Sequence, residues 1–403
     1  MKNKLHESIC AEGMSKRMPY RDDKISGNKL SALGFGCMRF PSDIKETERM
    51  ILAAIDGGVN FFDTAYIYPK SEITLGEILA KHKKRKKVYI ATKLPLSLCK
   101  SYEDFDRFFE QQLARLKTNY IDYYFMHSII NYAQWEKMLE LGIEKWLDKK
   151  KNAGQIRHVG FSFHGSRDEF LKVLNSREWE FCMIQYNYYD QNYQAGKTGL
   201  LAAAEKGIPV FAMEPLLGGR LATGLPQKAV RLFADANPER TPAEWALNWL
   251  WNHPEITVVL SGMSSLKITE ANLSAARAFE PLSENELAVY DDIISLFKKS
   301  FRIPCTACNY CLPCPKGIDI PARFSAYNAS YTQNWFTGIM MYMTGIGALS
   351  ENPISAKLCN ACGHCERNCP QNLPIRKSLK KVTGRLEPLP IRLIMKLARK
   401  FIK

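Results

Sequence analysis

Between residues 31 and 279 the chain switches eight times from a short apolar run to a longer stretch with apolar residues three and four apart. The apolar runs fall at 31–37, 59–62, 88–92, 121–126, 156–161, 181–185, 209–212 and 257–260. Helical stretches follow at 44–56, 72–82, 102–117, 135–152, 167–175, 198–206, 241–251 and 266–279. Gly57–Gly58 close the first of these, and the capping box TPAE at 241–244 opens the seventh. Unbroken apolar runs suit strands buried on both faces, and parallel neighbours need a crossover, which the helices supply. Eight such units fit a closed (β/α)8 TIM barrel, an α/β fold. A doubly wound open sheet is the alternative, but no G-x-G-x-x-G follows the first run.

Several runs end in polar groups. The stretch 59–72 reads VNFFDTAYIYPKSE, a strand followed by Asp63, Tyr68 and the start of a helix. The third run ends in Lys93, the fourth in His127, the fifth in Ser162 and the sixth in Gln185. In a barrel these residues share the rim at the carboxyl ends of the strands, where such folds keep their chemistry. Singly, Asp63 reads as a helix cap, Lys93 as a surface lysine, His127 as a satisfied core histidine and Tyr68 as packing. Together they make a proton-delivery set. A tyrosine with a pKa of about 10 is a poor acid at neutral pH, and a nearby ammonium stabilises its phenolate. A carboxylate keeps the ammonium charged and oriented, and a histidine can hydrogen-bond a carbonyl oxygen that is receiving a hydride.

Over residues 18–296 the sequence resembles the aldo/keto reductases. The likeness lies in LGFGCMRF, FFDTAYIY followed by SE, IATK, DYYFMH, GFSFHG, IQYN, MEPLLGG and VLSGMSS. It implies Asp63, Tyr68, Lys93 and His127 as the catalytic tetrad, Tyr68 as general acid, and NADP(H) or NAD(H) as cofactor. It implies a nicotinamide held by Ser162 and Gln185 beside Met213. It also implies that segment 260–272 holds the phosphates and adenosine through Gly262, Ser264, Ser265 and Asn272. Three positions depart from the family pattern. Phe163 stands where many members carry Asn, and Met213 where an aromatic often stacks on the nicotinamide. Ile268, with Lys267 beside it, occupies the place of an Arg that binds the 2′-phosphate. The choice between the two cofactors therefore stays open. Cys37, at the end of the first run, reads as packing, with redox sensitivity as the other reading.

Eight of the twelve cysteines fall between Cys305 and Cys369. Residues 305–315 read CTACNYCLPCP, and residues 359–370 read CNACGHCERNCP. The second is the C-x2-C-x2-C-x3-C-P run of bacterial ferredoxins; the first is one residue short in its last gap. Two 4Fe-4S clusters are the leading reading, ahead of zinc and of disulfides, for which no export signal argues. In two-cluster ferredoxins the fourth cysteine of each run crosses to the other cluster. That assigns Cys305, Cys308, Cys311 and Cys369 to one cluster, and Cys359, Cys362, Cys365 and Cys314 to the other. The 44 residues between the runs are too many for a compact βα ferredoxin and resemble the helical, ferredoxin-like type. Their aromatics and methionines (YNASYTQNWFTGIMMYM) read as the core of that small domain, with a docking surface for a redox partner as the alternative.

The expected division is an N-terminal extension at 1–17, the barrel at 18–300, a ferredoxin-type domain at 301–385 and a basic amphipathic tail at 386–403. The formal net charge is +15, yet KHKKRKK at 81–87 joins a helix to a strand on the face opposite the chemistry. It reads as solvated charge, and no nucleic-acid partner is expected. The tail IRLIMKLARKFIK sets cations between apolar positions, which suits packing on the barrel or peripheral contact with an anionic membrane. No apolar run is long enough to span a bilayer. The expected location is cytoplasmic, with peripheral contact at the inner membrane face through the tail.

The expected function is NAD(P)H-dependent hydride transfer to or from a small carbonyl or alcohol substrate. The clusters would serve electron transfer to a redox protein partner, or docking. A non-catalytic, nicotinamide-sensing subunit of a larger redox assembly is the alternative, and the pairing of Tyr68 with Lys93 argues against it.

Overall fold

A computed structural model of the chain describes residues 17–348, 350 and 352–393. Of the expected extension at 1–17 and the expected tail at 386–403, residues 1–16 and 394–403 lie outside the described residues.

The chain enters through a hairpin of β1 (Tyr20–Asp22) and β2 (Lys29–Ser31). Arg21, from β1, donates to the carbonyl of His253 at 2.8 Å and to those of Trp251 and Ile256. Eight parallel strands then close a barrel: β3 (Leu33–Gly36), β4 (Phe61–Asp63), β5 (Tyr89–Leu94), β6 (Ile121–Ile129), β7 (Ile156–Phe163), β8 (Phe181–Gln185), β9 (Val210–Met213) and β10 (Ile256–Ser261). Each expected run has become a strand, in chain order around the barrel. Large rings fill the interior: Phe61, Tyr123, Phe125, Phe181 and Phe211 are all buried there. Edge-to-face contacts such as Phe125–Phe181, 4.7 Å between centroids, make it a packed core, not a pore.

Two details differ from the sequence reading. The helix expected over 135–152 is two helices, Tyr132–Glu140 and Ile143–Asn152. Gly142 separates them at φ +85°, a conformation that costs a side-chain-bearing residue about 1 kcal/mol or more. Strand β6 also runs on to Ile129, past the apolar run that announced it.

The chain divides into two compact units. The first comprises the chain up to Tyr186, Asn192–Met213 and Leu250–Pro281, and holds the barrel strands. The second comprises Asn187–Gln191, Glu214–Trp249 and the chain from Leu282 onward. In the second, Phe233 stacks on Trp245 at 4.8 Å, and Tyr290 on the Glu284–Ser300 helix donates to Trp245 O at 2.9 Å. Its cysteine-bearing part is helical, with helices Ile320–Thr332, Trp335–Gly345 and Ile375–Leu386 packed around Phe324, Tyr342, Leu379 and Val382. Tyr327, Tyr342 and Met343 join this core as expected. Trp335, Phe336, Met340 and Met341 do not; they are exposed, because the Trp335–Gly345 helix buries only one face.

Candidate active site

Strand β4 ends on Asp63, and Thr64 extends its ladder by donating to Ala91 O at 2.8 Å. Lys93, on the adjacent β5, is in register with Phe125 of β6. Its Nζ donates to Asp63 Oδ1 at 2.5 Å and to Thr64 O at 2.7 Å. Burial raises the Asp63 carboxyl and lowers the Lys93 ammonium, and their ion pair opposes both shifts.

Past Thr64 the chain turns. Tyr68 N donates to Ala65 O at 3.0 Å, and Ser71 N to Tyr68 O at 3.2 Å. Ser71 Oγ anchors the turn by donating to Cys37 O at 2.9 Å. The half-buried Tyr68 ring thereby lies over Lys93, whose Nζ is 5.0 Å from the ring centre.

His127 arrives by a bulge. The β6–β7 register shifts between Met126 and Ile129, and Ser128 takes φ +56°. Ser162 Oγ holds that conformation by accepting from Ser128 N at 2.8 Å. Bulges re-aim side chains; here the His127 ring meets Tyr68 edge-on, with centroids 6.1 Å apart. Burial first, then Lys93 and His164, hold the imidazole well below its ordinary range. It is therefore neutral near pH 7 and offers one N–H and one lone pair. Asp63, Tyr68, Lys93 and His127 are thus brought together.

Behind Lys93 lies a polar layer that the sequence reading did not single out. Gln112 Nε2 donates to Lys93 O at 3.1 Å, to Thr92 Oγ1 at 3.0 Å and to Glu72 Oε1 at 2.8 Å. Glu72, fully buried, also accepts from Thr92 Oγ1 at 2.6 Å and from Arg115 at 3.1 Å. The signal available was the acid of the SE pair directly after the Tyr68 loop. His164 is a second such residue. Its N–H donates to Ile129 O at 2.9 Å, its ring bonds to Gln194, and burial holds it at about 4.

The residues expected to hold a nicotinamide are more scattered in environment. Ser162 is buried and engaged by Ser128, whereas Gln185 is buried, in register with the half-buried Met213, and accepts from Gln194 at 3.4 Å. Gly262 and Ser264 are exposed after β10, and Ser265 caps the Leu266–Arg277 helix by accepting from Ile268 N at 3.3 Å. A side chain at Gly262 would stand 3.3 Å from Arg39 Cδ, so bare backbone and a guanidinium approach each other there. A helix start beside an arginine suits an anionic group. One of its N–H groups is already taken: Leu266 N donates to Glu46 Oε1 at 2.8 Å. Asn272 is buried, donating to Ser261 Oγ at 2.9 Å. Cys37 is buried, bonds to Phe35 O at 3.6 Å, and burial raises its thiol, which fits the packing reading.

The eight module cysteines line two cavities. One is bordered by Cys305, Cys308, Cys311 and Cys369. The other is bordered by Cys314, Cys359, Cys362 and Cys365, with Cys311 on the wall between. Among the described residues no three His, Cys, Asp or Glu converge as ligands of a single metal ion. Four thiols ranged around each cavity, without the convergence that a single ion needs, suit a multi-metal cluster better than a tetrahedral zinc. Burial pushes the Cys308 and Cys311 thiols up to about 12, so ligation depends on metal charge to form the thiolates.

A parallel eight-stranded barrel with titratable residues at its carboxyl rim, joined to a helical domain with cysteine-lined cavities, defines an oxidoreductase carrying an iron–sulfur module. The chain belongs to the aldo/keto reductase family, whose model matches residues 32–295, and a 4Fe-4S dicluster domain matches residues 304–373. Among curated relatives it is similar to a 6-dehydroglucose reductase of Novosphingobium aromaticivorans, 28% identical over 272 residues, 61% of this chain and 86% of that protein. It is also similar to the NADP(+) aldo-keto reductase yakc of Schizosaccharomyces pombe, 23% identical over 299 residues, 63% of this chain and 86% of that protein. An aldo-keto reductase from Bacillus halodurans, solved in its holo form, superposes with a TM-score of 0.59 at 24% identity, covering 69% of this chain and 96% of that one. That last likeness establishes the fold.

Proposed function

We propose that the barrel, taken as residues 18–300, reduces a small carbonyl substrate or oxidises the matching alcohol, with Asp63, Tyr68, Lys93 and His127 as its catalytic residues. The observation that carries this reading is Lys93 Nζ, fixed by Asp63 and Thr64 O and lying 5.0 Å from the Tyr68 ring. A bound NAD(P)H supplies the hydride. Tyr68 gives its phenolic proton to the carbonyl oxygen, so that hydride and proton together turn C=O into CH–OH. Lys93 stabilises the phenolate left behind, and Asp63 keeps that ammonium oriented. Neutral His127 donates its N–H to the carbonyl oxygen and sets its direction. Ser162, Gln185 and Met213 would border the nicotinamide, with Gly262, Ser264, Ser265 and Asn272 in the segment that meets the phosphates and adenosine. The NADP(+) relative favours NADP(H) over NAD(H).

The cysteine module, taken as 301–385, would hold two 4Fe-4S clusters, which exchange single electrons when bound. Cys305, Cys308, Cys311 and Cys369 would ligate one, and Cys359, Cys362, Cys365 and Cys314 the other, with a redox protein as outside partner. The test is anaerobic. Iron and sulfide are quantified, NADPH or NADH is added, and absorbance, EPR and aldehyde reduction are followed in the wild type and in Tyr68→Phe. Aldehyde reduction that survives Tyr68→Phe overturns the tetrad; about eight irons per chain supports the two-cluster module.

A further inference from the structure

The two cysteine-lined cavities meet solvent differently. Around the first, Cys305 and Cys311 are buried and Cys308 and Cys369 half-buried. Its loop is roofed by backbone: a side chain at Gly218 would stand 2.1 Å from Thr306 O, and Thr306 is itself 1% exposed. Around the second, Cys362 is exposed, as are Asn360 and Ala361 before it. Cys311 and Ile320 border both cavities, so the two adjoin. A centre in the first is enclosed, whereas one in the second reaches solvent at Cys362.

The exposed loop is held by cations. Ala361 takes φ +59° and Gly363 φ +76°. Arg376 donates to Ala361 O at 3.4 Å, and Arg367 to Cys362 O at 3.3 Å, and both side chains are exposed. Arg376 also lines the cavity, where Glu366 accepts from its N at 2.9 Å and its Nε at 2.7 Å. Two lysines extend the rim. Lys316 follows Pro315 of the cavity wall, and Lys380 follows Leu379 of that wall, one helical turn on from Arg376; both are exposed. The other acid beside this wall, Asp319, caps the Ile320–Thr332 helix by accepting from Ala322 N at 3.0 Å. Residues 394–403 add Lys396, Arg399, Lys400 and Lys403 and no acid, so like charge argues against that segment as the cover of this rim.

We propose that the second centre is the port through which the module exchanges single electrons, and that its partner is an acidic protein carrying a one-electron centre. That partner docks on the rim of Lys316, Arg367, Arg376 and Lys380 around Cys362. The inference rests on the two-cluster reading above and deepens it. In the outward direction the reduced second centre is oxidised by one electron and the carrier is reduced by one, and no proton or bond changes hands. The first centre restores that electron across the wall at Cys311. Opposite charge on the carrier steers the encounter.

The test uses the full chain, prepared anaerobically and reduced with dithionite that is then removed. Its reoxidation is followed by stopped flow with flavodoxin, an acidic one-electron acceptor, and with cytochrome c, a basic one. The rate with flavodoxin should fall at least about tenfold from low to high salt, while the rate with cytochrome c should not fall. Lys316→Glu combined with Lys380→Glu should slow the low-salt flavodoxin reaction at least about tenfold, with iron content and the EPR spectrum unchanged. The matched pair Lys299→Glu with Arg302→Glu, exposed just before the first run, should stay within about twofold. A flavodoxin rate indifferent to salt or to the first pair, or slowed equally by the second, overturns the port at full iron content. So does low-salt acceleration of cytochrome c. Iron far short of about eight per chain, with no EPR signal on reduction, overturns the two-cluster reading and the port with it.

Discussion

Lys93 and Asp63 form an ion pair of 2.5 Å in which the side chains are 2% and 8% exposed. Breaking such a pair from one side strands the other charge in a low-dielectric site, at a cost of ~3–5 kcal/mol. Asp63→Asn is therefore expected to destabilise the fold, and Lys93→Met combined with Asp63→Asn to recover part of the loss. Thermal unfolding of the wild type and the two variants measures the difference.

Tyr68 is exposed enough to be changed without disturbing the core. Tyr68→Phe should lower carbonyl reduction by about 10²–10⁴-fold, the range of general acid catalysis, while nicotinamide binding followed by fluorescence stays within about twofold.

His127 is held well below its ordinary range by burial and by Lys93. A histidine already neutral at pH 6 loses no proton as the pH rises to 8. The pH–rate profile of carbonyl reduction should then show no ionisation near pH 6.5, the ordinary histidine value. A limb at that pH which disappears in His127→Gln would contradict the neutral assignment.

Glu180 gives a stability prediction with a definite sign. Burial alone would raise its carboxyl, but bonds from His158, Lys151 and Val159 N hold it at about 2. A depressed carboxylate contributes stability above its unfolded value of about 4.3, and the contribution fades as the pH falls toward 2. Allowing for its partial exposure, Glu180→Gln should cost on the order of 1–2 kcal/mol at pH 7, with the gap to wild type closing near pH 2. Urea unfolding at the two pH values decides it.

Gly218 sits at φ +64°, and a side chain there would run into the backbone of Thr306, next to Cys305. Gly218→Ala combines a strained backbone, costing about 1–3 kcal/mol, with a displaced cysteine loop. Reduced iron content after anaerobic reconstitution is the expected readout.

The barrel was legible because each strand is a run of buried apolar residues and each crossover is a helix with one apolar stripe. Asp63 and Lys93 were legible for a related reason: they stand at the ends of such runs. The bulge that aims His127 was not, because Ser128 at φ +56° carries no local mark, and the Ser162 hydroxyl that supports it lies 34 residues away. Gln112 and Arg115 were hidden similarly. On their own helix they are ordinary polar residues, and only the fold brings them to Glu72. The outward face of the Trp335–Gly345 helix was misread as core because a helix that is apolar all round shows no stripe in its sequence.

The crossing of cysteines between the two runs bears on how the protein is made. Cys369 borders the cavity of the first run, and Cys314 that of the second. During synthesis, then, neither nest of thiols is complete until the second run has left the ribosome. With the ligand sets proposed above, metal insertion would be a late event in the life of the chain, and a product truncated before Cys359 would keep the whole barrel yet lack thiols for both cavities.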